Sequence, residues 1–281
     1  MVQTVKGTCV EMIAKDSEPG TVISIVVPVL NEEEVLPSTL ASIRSQTFEK
    51  YEVIVVDNGS TDRSPQIGRA FADRFLVEPQ RGPIRAMHRG ILNATGRFVT
   101  CCDADTVYPA RWLEKMVNRL GHRRVVAVYG PIAFCENGLV LRILTLTGYC
   151  ILAWLSRLFG VPLAGAANLG IRRDAYFACG GYQVECEAAS QDFRLLQRLS
   201  KFGKVCFSPM VFCYTSNRRF VKVNFWYGLW EAFWLWWDVA RGTKKISYKR
   251  YYGDDGHSHS HKGGSVRTQG SNRESRVPNG R

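Results

Sequence analysis

The sequence predicts an α/β fold with a mostly parallel central sheet and flanking helices. Short apolar runs rich in β-branched residues alternate with segments of helical periodicity through the first hundred residues. The runs at 23–30 and 53–56 show no alternation of polar and apolar residues, which is typical of strands buried on both faces. Repeated strand–helix–strand units of this kind form parallel sheets.

The first half of the chain supplies most of this alternation. After the strand at 23–30, Asn31 and the acidic residues 32–34 suit a helix N-terminus, and apolar positions 35, 36, 40 and 43 form the buried face of that helix. The elements predicted next are a strand at 53–56, a helix at about 63–74, a strand at 75–77, a helix from Gly82-Pro83 through Ala94 and a strand at 98–102.

Further elements are predicted after residue 102. Pro109 suits the first turn of a helix at 109–121, and a strand follows at 125–129. The spacing of Phe193, Leu196 and Leu199 predicts an amphipathic helix at 190–199 with these three residues facing inward.

The composition describes a globular protein with an anionic partner. Hydrophobic residues make up 46% of the 281 residues, and the net charge is +12. The nine cysteines are scattered and include no Cys-x-x-Cys pair, so we expect free thiols in a reducing compartment rather than disulfides or a zinc site. Residues 1–20 are predicted to be a loose leader without a secretory signal pattern.

Two carboxylates at the end of an apolar run are the central feature of the sequence. Asp103 and Asp105 are two positions apart, so in a strand they would point to the same face. Carboxylate oxygens at such a position suit Mg²⁺ or Mn²⁺ and leave room for substrate phosphates. The alternative is a solvated turn that caps the next helix.

Three predicted strands end in polar side chains: Asn31-Glu32, Asp57-Asn58 and Asp103 to Asp105. Ligands of parallel α/β sheets bind beyond the carboxyl ends of the strands, so these groups are expected to share one rim. No Gly-x-Gly-x-x-Gly follows the first strand, and no Gly-x-x-x-x-Gly-Lys-Ser/Thr occurs anywhere, which disfavours dinucleotide-dependent dehydrogenases and P-loop enzymes.

The ordered motifs resemble those of family-2 glycosyltransferases. They are Val27-Pro28-Val29-Leu30-Asn31-Glu32-Glu33, Val55-Val56-Asp57-Asn58-Gly59-Ser60-Thr61-Asp62 and Cys102-Asp103-Ala104-Asp105-Thr106, and the segments at 82–86 and 90–96 also fit. The resemblance covers roughly residues 22–220. It implies a GT-A fold with a Rossmann-like sheet, a nucleotide-diphospho-sugar donor and a divalent metal. Asn58 departs from the pattern, because the family usually has a second Asp there.

The resemblance also implies roles for individual residues on the donor side. Asp57 would contact the base, Asp103 the ribose or the metal, and Asp105 would be the main metal ligand. Pro28, Asn31 and Glu32 would shape the nucleoside pocket. Arg85 would contact the diphosphate or the nucleoside, and its alternative is a solvated helix arginine.

The acceptor side is predicted from two further segments. Residues 164–173, with Gly165 and Asn168, resemble the acceptor-side segment of the family; the alternative is a Gly-containing loop leading into an edge strand. Asp192 stands where the family has its catalytic base. Gln191 and Arg194 stand where the family usually has two acids. Without their like charge, and with the cation of Arg194, we expect the pKa of Asp192 to be lowered, which favours a phosphate acceptor over an alcohol.

Paired arginines close the predicted catalytic part. Arg218 and Arg219 follow a strand and would clamp a diphosphate through bidentate hydrogen bonds. The alternative is a solvated basic turn.

Two apolar segments predict contact with a membrane surface. The apolar stretch 139–163 carries Arg142 and Arg157, and the run between them is shorter than the about 20 residues a span needs, so we expect an interfacial helix, with a buried helix as the alternative. Residues 225–237 are dense in Trp, and basic residues follow. The alternative for this segment is a helix packed on the catalytic core or an oligomer contact.

These observations predict four regions: a leader at 1–20, a GT-A catalytic domain at 21–220, an aromatic and basic membrane-associating segment at 221–252 and a disordered basic tail at 253–281. The predicted function is metal-dependent, inverting transfer from a nucleotide-diphospho-sugar to a lipid-linked or glycan acceptor, such as a polyprenyl phosphate.

The predicted location is cytoplasmic and peripheral, on the anionic inner face of the cell membrane. A non-catalytic nucleotide-sugar or glycan-binding module is the alternative. We expect no nucleic-acid partner, because the basic residues concentrate beside the Trp-rich segment and in the tail. The sequence leaves the oligomeric state open.

Overall fold

The computed structural model describes residues 20–135, 138–158, 160–184, 191–218, 234 and 237. Within these residues ten strands form two sheets. The strands are β1 (Ile23–Val29), β2 (Tyr51–Asp57), β3 (Arg74–Val77), β4 (Phe98–Cys101), β5 (Thr106–Val107), β6 (Val125–Tyr129), β7 (Ile132–Phe134), β8 (Leu169–Arg172), β9 (Lys204–Phe207) and β10 (Cys213–Thr215).

Helices connect most of these strands. Those found in the described part of the chain are α1 (Leu36–Arg44), α2 (Ser64–Phe71), α3 (Pro83–Asn93), α4 (Trp112–Leu120), α5 (Leu139–Leu158), α6 (Arg173–Ala178) and α7 (Gln191–Leu199), with a 3-10 turn at Ala166–Asn168. Helix α2 ends three residues before its predicted limit. The Asp73 carboxylate instead accepts a hydrogen bond from the N–H of Val53 (2.7 Å), where the chain enters β3.

The main sheet has the strand order β3-β2-β1-β4-β8-β6-β9. Strand β1 pairs in parallel with β2 and β4, whereas β8 runs antiparallel to both β4 and β6. The prediction of a mostly parallel sheet is confirmed. The alternative of an edge strand after residues 164–168 is wrong, because β8 lies in the middle of the sheet.

Helices cover both faces of this sheet, so β1 is buried on both sides. Ile25 and Val27 pack in one cluster with residues of α1 and α4, and Val26 packs in the other with residues of α3 and α7. Successive strand residues point to opposite faces, which explains the unbroken apolar run in the sequence.

Pro28 lies inside β1 without breaking a sheet hydrogen bond. The ladder between β1 and β4 ends at the pair Val26–Cys101, and Cys102 donates to the Val26 carbonyl (3.0 Å). The backbone of residue 28 faces the same side as that of residue 26, where β4 has already turned away. The missing N–H of proline therefore has no partner to lose, and its position marks where the two strands diverge to open a cleft.

A second sheet of three strands has the order β5-β10-β7 and joins the segment at 213–215 to strands from earlier in the chain. Strand β10 runs antiparallel to β5 and parallel to β7. This pairing carries residues 216–218 to the turn that follows β4.

Helix α5 is apolar and lies largely outside the core. Its 20 residues span roughly 30 Å, and only Ala153 and Ser156 are buried. The interpretation of a buried core helix is therefore wrong.

By length and composition α5 could cross a membrane, with a mean hydropathy of 1.7 and 11% of its apolar window buried. The expectation that the stretch is too short is thus also wrong, because Arg142 and Arg157 lie within the helix rather than at its limits.

Several predictions concern residues outside the described part of the chain. These are the leader except Gly20, the disordered tail at 253–281 and the segment 221–252 except Trp234 and Trp237. Trp234 is in a helical conformation and 44% exposed.

Close packing of α3 on β1 predicts the effect of a single methyl group. A Cβ at Gly90 would lie 2.2 Å from Cγ1 of Val26, a buried β-branched side chain that cannot turn away easily. We expect Gly90→Ala to lower the free energy of unfolding by about 1–3 kcal/mol, measured by urea denaturation. Gly148→Ala is the control, because a Cβ there meets nothing within 4 Å. Equal stability of the two variants would contradict the packing argument.

Candidate active site

The loops after β1, β2 and β4 meet at one edge of the main sheet. Val29 pairs with Asp57 in parallel register, and the N–H of Asn58 donates to the Val29 carbonyl (2.9 Å). The carboxyl ends of these strands therefore lie side by side, as the sequence predicts. Ligand sites of parallel sheets form at this edge.

The first two loops interlock through Asn31. This residue has a positive φ of 54°, which Asn tolerates better than most residues. Its side-chain oxygen accepts a hydrogen bond from the N–H of Thr61 (2.8 Å), and its own N–H donates to the Ser60 hydroxyl (3.0 Å). Asn31 thereby fixes the shape of the edge where Glu32 begins.

Asp57 and Asn58 have different surroundings. The buried Asp57 carboxylate accepts hydrogen bonds from the N–H groups of Gly59 (3.2 Å) and Ser60 (3.3 Å) in the following turn. The Asn58 amide donates to the carbonyls of Glu78 (3.0 Å) and Gln80 (2.9 Å), and its oxygen accepts from the N–H of Gly82 (2.7 Å).

Asn58, which stands where the family usually has an Asp, thus has a structural role. An Asp at this position would have no amide group to donate to the two carbonyls. Asn58 holds the loop before α3, and its amide is occupied by the backbone rather than open to a nucleoside.

Arg85 lies in the first turn of α3, directly after the loop that Asn58 holds. Its guanidinium donates to the side-chain oxygen of Gln80 (2.7 Å), and the residue is half-buried. A role for Arg85 in donor binding stays a prediction.

Asp103 and Asp105 lie in the turn between β4 and β5. The argument that they share one face of a strand is wrong, because β4 ends at Cys101. Asp105 is buried, and its position is set by β10: its carbonyl accepts from the N–H of Ser216 (3.1 Å), and its carboxylate accepts from the Thr215 hydroxyl (3.4 Å).

Arg218 joins two of the predicted donor-site carboxylates. Its Nη2 donates to Glu32 and to Oδ2 of Asp105 (3.3 Å). Beside these groups is a cavity of about 300 Å³ lined by Asn31, Glu32, Glu33, Glu34, Asp62 and Arg218. Arg219, the second arginine of the predicted clamp, lies outside the described residues.

The oxygen donors at this edge fit a hard divalent cation. Glu32 and Asp105 approach a common cation, Arg218, and Asp103 belongs to the same turn as Asp105. Within the described residues no group of three His, Cys, Asp or Glu side chains is arranged as a complete protein site. Carboxylates combined with substrate phosphates and water are the usual ligands of Mg²⁺, so a complete protein cage is not required.

Asp192 lies in the first turn of α7 and is part of a second group of polar side chains. Its Oδ1 accepts a hydrogen bond from the Tyr182 hydroxyl (2.7 Å), and the N–H of Ala166 also donates to it. Burial raises the pKa of Asp192 above its ordinary value, and these two hydrogen bonds oppose the shift. The expectation of a lowered pKa through Arg194 is wrong, since burial dominates.

The surroundings of Cys101 link Asp192 to the carboxylates after β4. Burial raises the pKa of the Cys101 thiol, and the nearby charges of Asp192 and Asp103 raise it further. Both carboxylates therefore lie close to the last residue of β4. The structure thus brings the predicted base and the Asp103–Asp105 turn into one neighbourhood.

Three residues near Asp192 carry no signal in the sequence. The Tyr176 hydroxyl lies 2.6 Å from Nδ1 of His88 and accepts from the N–H of Tyr182 (3.0 Å), while the Tyr182 hydroxyl donates to Asp192. These side chains come from α3, α6 and the following loop, so spacing along the chain could not reveal them.

The predicted acceptor-side residues separate into two kinds. Asn168 is fully buried: its oxygen accepts from the Trp112 indole (2.9 Å) and its amide donates to the carbonyls of Val211 (2.8 Å) and Pro131 (3.2 Å). Its side chain holds the 3-10 turn in place and cannot reach an acceptor. Gly165 is half-buried and precedes this turn, beside the Ala166 N–H that contacts Asp192.

Comparison with known proteins places these features in a family. Residues 24–178, more than half of the chain, match the model described as Glycosyl transferase family 2. An uncharacterized glycosyltransferase of Mycobacterium bovis is 32% identical over 196 residues, which is 66% of this chain and 86% of that protein. The PGL/p-HBAD biosynthesis glycosyltransferase of Mycobacterium tuberculosis is 36% identical over 117 residues, 39% of this chain and 46% of that protein.

Solved structures share the fold. A mannosyltransferase from Pyrobaculum calidifontis, in complex with GDP-Man and Mn²⁺, superposes with a TM-score of 0.56 at 23% identity, covering 74% of this chain and 62% of that one. Residues 1–349 of S. aureus TarS, in complex with UDP-GlcNAc, give a TM-score of 0.55 at 18% identity, covering 70% and 58%. This chain thus spans less than two thirds of either neighbour. With its GT-A fold and its family match, the chain belongs to glycosyltransferase family 2.

Proposed function

We propose that this glycosyltransferase is metal-dependent and inverting, and that it moves a sugar from a nucleotide-diphospho-sugar to a hydroxyl of a lipid-linked or glycan acceptor at a membrane surface. The observation that carries the proposal is the convergence of the Glu32–Arg218–Asp105 cluster and of Asp192 on the carboxyl edge of β4. The Glu32–Arg218–Asp105 cluster is suited to binding a charged leaving group, and Asp192 is suited to accepting a proton.

The donor is proposed to bind along the edge from β2 to β4. Asp57 stands at the β2 end and would meet the base, and the turn with Asp103 would meet the ribose. The mannosyltransferase neighbour is in complex with GDP-Man and the TarS neighbour with UDP-GlcNAc, which supports a nucleotide-sugar donor of either kind.

A divalent cation, Mn²⁺ or Mg²⁺, is proposed to be held by Asp105 with Asp103. When bound, it supplies charge neutralisation of the leaving diphosphate. Arg218 lies at the same carboxylates and would donate hydrogen bonds to the diphosphate once its contacts with Glu32 and Asp105 are exchanged.

Asp192 is proposed to be the general base. The bond between the anomeric carbon and the diphosphate oxygen breaks, the acceptor hydroxyl oxygen bonds to that carbon from the opposite side, and its proton passes to the Asp192 carboxylate. The raised pKa makes this carboxylate a stronger base when ionised. The sequence-based reason to prefer a phosphate nucleophile therefore no longer holds.

The membrane location is proposed to be peripheral and cytoplasmic, on the inner face of the cell membrane. Its support is the exposed apolar surface of α5 together with the net charge of +12, which would attract anionic lipid headgroups. A non-catalytic nucleotide-sugar-binding module is the alternative. It differs by predicting donor binding without turnover.

The first prediction concerns the metal ligand. We expect Asp105→Asn to lower the rate of sugar transfer or donor hydrolysis with Mn²⁺ by roughly 10²-fold or more, because the metal loses its main carboxylate. Asp174→Asn is the matched control, since it makes the same chemical change at an exposed position of α6. Wild-type turnover by Asp105→Asn would reject the proposed metal site.

The second prediction concerns the competition between Arg218 and the metal. The guanidinium of Arg218 is paired with Glu32 and Asp105, and its removal leaves both carboxylates available to the metal ion. We therefore expect Arg218→Gln to bind Mn²⁺ roughly three- to tenfold more tightly. The same variant should bind the nucleoside diphosphate more weakly, because a phosphate contact is lost. Both affinities can be measured by calorimetry. Weaker Mn²⁺ binding would contradict the assigned contacts.

The third prediction separates the base from its hydrogen-bond donor. Asp192→Asn should lower kcat by about 10²–10⁴-fold, since no carboxylate remains to accept the proton. Tyr182→Phe removes a hydrogen bond that lowers the pKa of Asp192, so this pKa should rise. The acidic limb of the kcat/KM profile should then move to higher pH, because the active form is the ionised carboxylate.

Tyr176→Phe is the control for this pair, since its hydroxyl lies in the same cluster without contacting Asp192. A pH profile of Tyr182→Phe that coincides with that of the wild type would show that Tyr182 does not tune the base.

A further inference from the structure

A second cavity lies beside α7, the helix that carries Asp192, and shares no lining residue with the cavity at Glu32 and Arg218. Its volume is about 150 Å³, enough for several water molecules. It is enclosed by the C-terminal end of α5, the loop that follows, α7 and strands β6 and β9. The residues used below are Tyr129, Arg157, Val161, Leu196, Gln197 and Ser200.

The polar groups of this cavity are donors suited to an anion. Arg157 is exposed at its mouth, and among the described residues it forms no ion pair. Burial raises the pKa of Tyr129 to about 12, with the nearby Arg157 opposing the shift, so its hydroxyl stays protonated at neutral pH and can donate. A guanidinium beside a phenol is a favourable arrangement for a phosphate.

The position of the cavity relates it to the proposed base. Leu196 lines the cavity and lies four residues after Asp192 on α7, so the two share one helix face, separated by roughly 6 Å. The loop from Val161 also leads directly to Ala166, whose N–H contacts Asp192.

The mouth of the cavity adjoins the exposed apolar surface of α5. Around Arg157, the side chains of Ile151, Trp154, Leu155 and Leu158 are 41–67% exposed. An amphiphile with an anionic head could place that head at Arg157 and its apolar chain along α5.

We propose that this cavity binds the phosphate of a lipid-linked sugar acceptor, with the lipid chain on α5 and a sugar hydroxyl presented to Asp192. The inference rests on the proposed function and adds the acceptor class and its anchoring residues. The phosphate takes no part in bond making. The sugar hydroxyl loses its proton to Asp192 and bonds to the anomeric carbon of the donor, while the bond from that carbon to the diphosphate oxygen breaks.

The test measures vesicle binding by the full-length chain. Vesicles of phosphatidylcholine carry a polyisoprenyl monophosphate or the same mole fraction of phosphatidylglycerol, and free inorganic phosphate serves as the competitor without a chain. We expect the wild type to bind polyisoprenyl monophosphate vesicles more tightly than phosphatidylglycerol vesicles, and Arg157→Gln to lose about tenfold or more of the former affinity.

Lys201→Gln is the matched control. It removes the same charge from an exposed residue just after Ser200 that does not line the cavity, and its affinity should stay within about twofold of the wild type. Tyr129→Phe is a second variant that removes one donor without removing charge, and it should weaken binding in the same direction. Thermal melts report whether each variant is folded.

Each outcome either supports or overturns the proposed phosphate site. Selective loss in Arg157→Gln supports the phosphate site. Equal loss in Arg157→Gln and Lys201→Gln would show general attraction by charge and overturn it, as would equal wild-type affinity for both kinds of vesicle. Donor binding by the wild type, measured with Mn²⁺ and without lipid, tests the proposed function separately.

Discussion

The ion pairs of Arg218 with Glu32 and Asp105 join three distant parts of the chain into one site. Glu32 follows β1, Asp105 follows β4, and Arg218 is delivered by β10 through its pairing with β5 and β7. Two carboxylates this close would repel each other without a cation between them. The pairing of β10 with β5 and β7 therefore places the positive charge of Arg218 between the two carboxylates at the donor edge.

The carboxylates at the two ends of the cleft, Asp105 and Asp192, have different surroundings. The Asp105 carboxylate contacts the guanidinium of Arg218, whereas the half-buried Asp192 carboxylate accepts hydrogen bonds from a neutral hydroxyl and an N–H. Burial raises the pKa of Asp192 and so increases its basicity. A general base needs proton affinity, and the environment of Asp192 increases it, whereas the proposed metal ligand Asp105 lies against a cation.

Local pattern predicted the elements well, because strands such as β1 and β6 and helices such as α3 and α7 are encoded by burial periodicity. The roles predicted for Asp57, Asp103, Asp105 and Asp192 came instead from the resemblance to the family, whose motifs lie at strand ends or helix starts. What local pattern missed depends on tertiary contacts. The central position of β8, the backbone contacts of Asn58 and the hydrogen bond from Tyr182 to Asp192 involve partners distant in the chain or outside any motif. Position alone cannot report the burial that set the pKa of Asp192.

The exposed apolar surface of α5 would determine the direction from which an acceptor approaches Asp192. A helix with so many exposed Leu, Ile and Trp side chains forms an apolar patch that water disfavours, so a stable protein requires something to cover it. The helix is also tied to the domain, because the Tyr149 hydroxyl donates to the Leu163 carbonyl (2.7 Å), three residues before Ala166. A surface that covers α5 is thereby held at a fixed distance from Asp192. An acceptor that diffuses within such a surface would approach the base along α5.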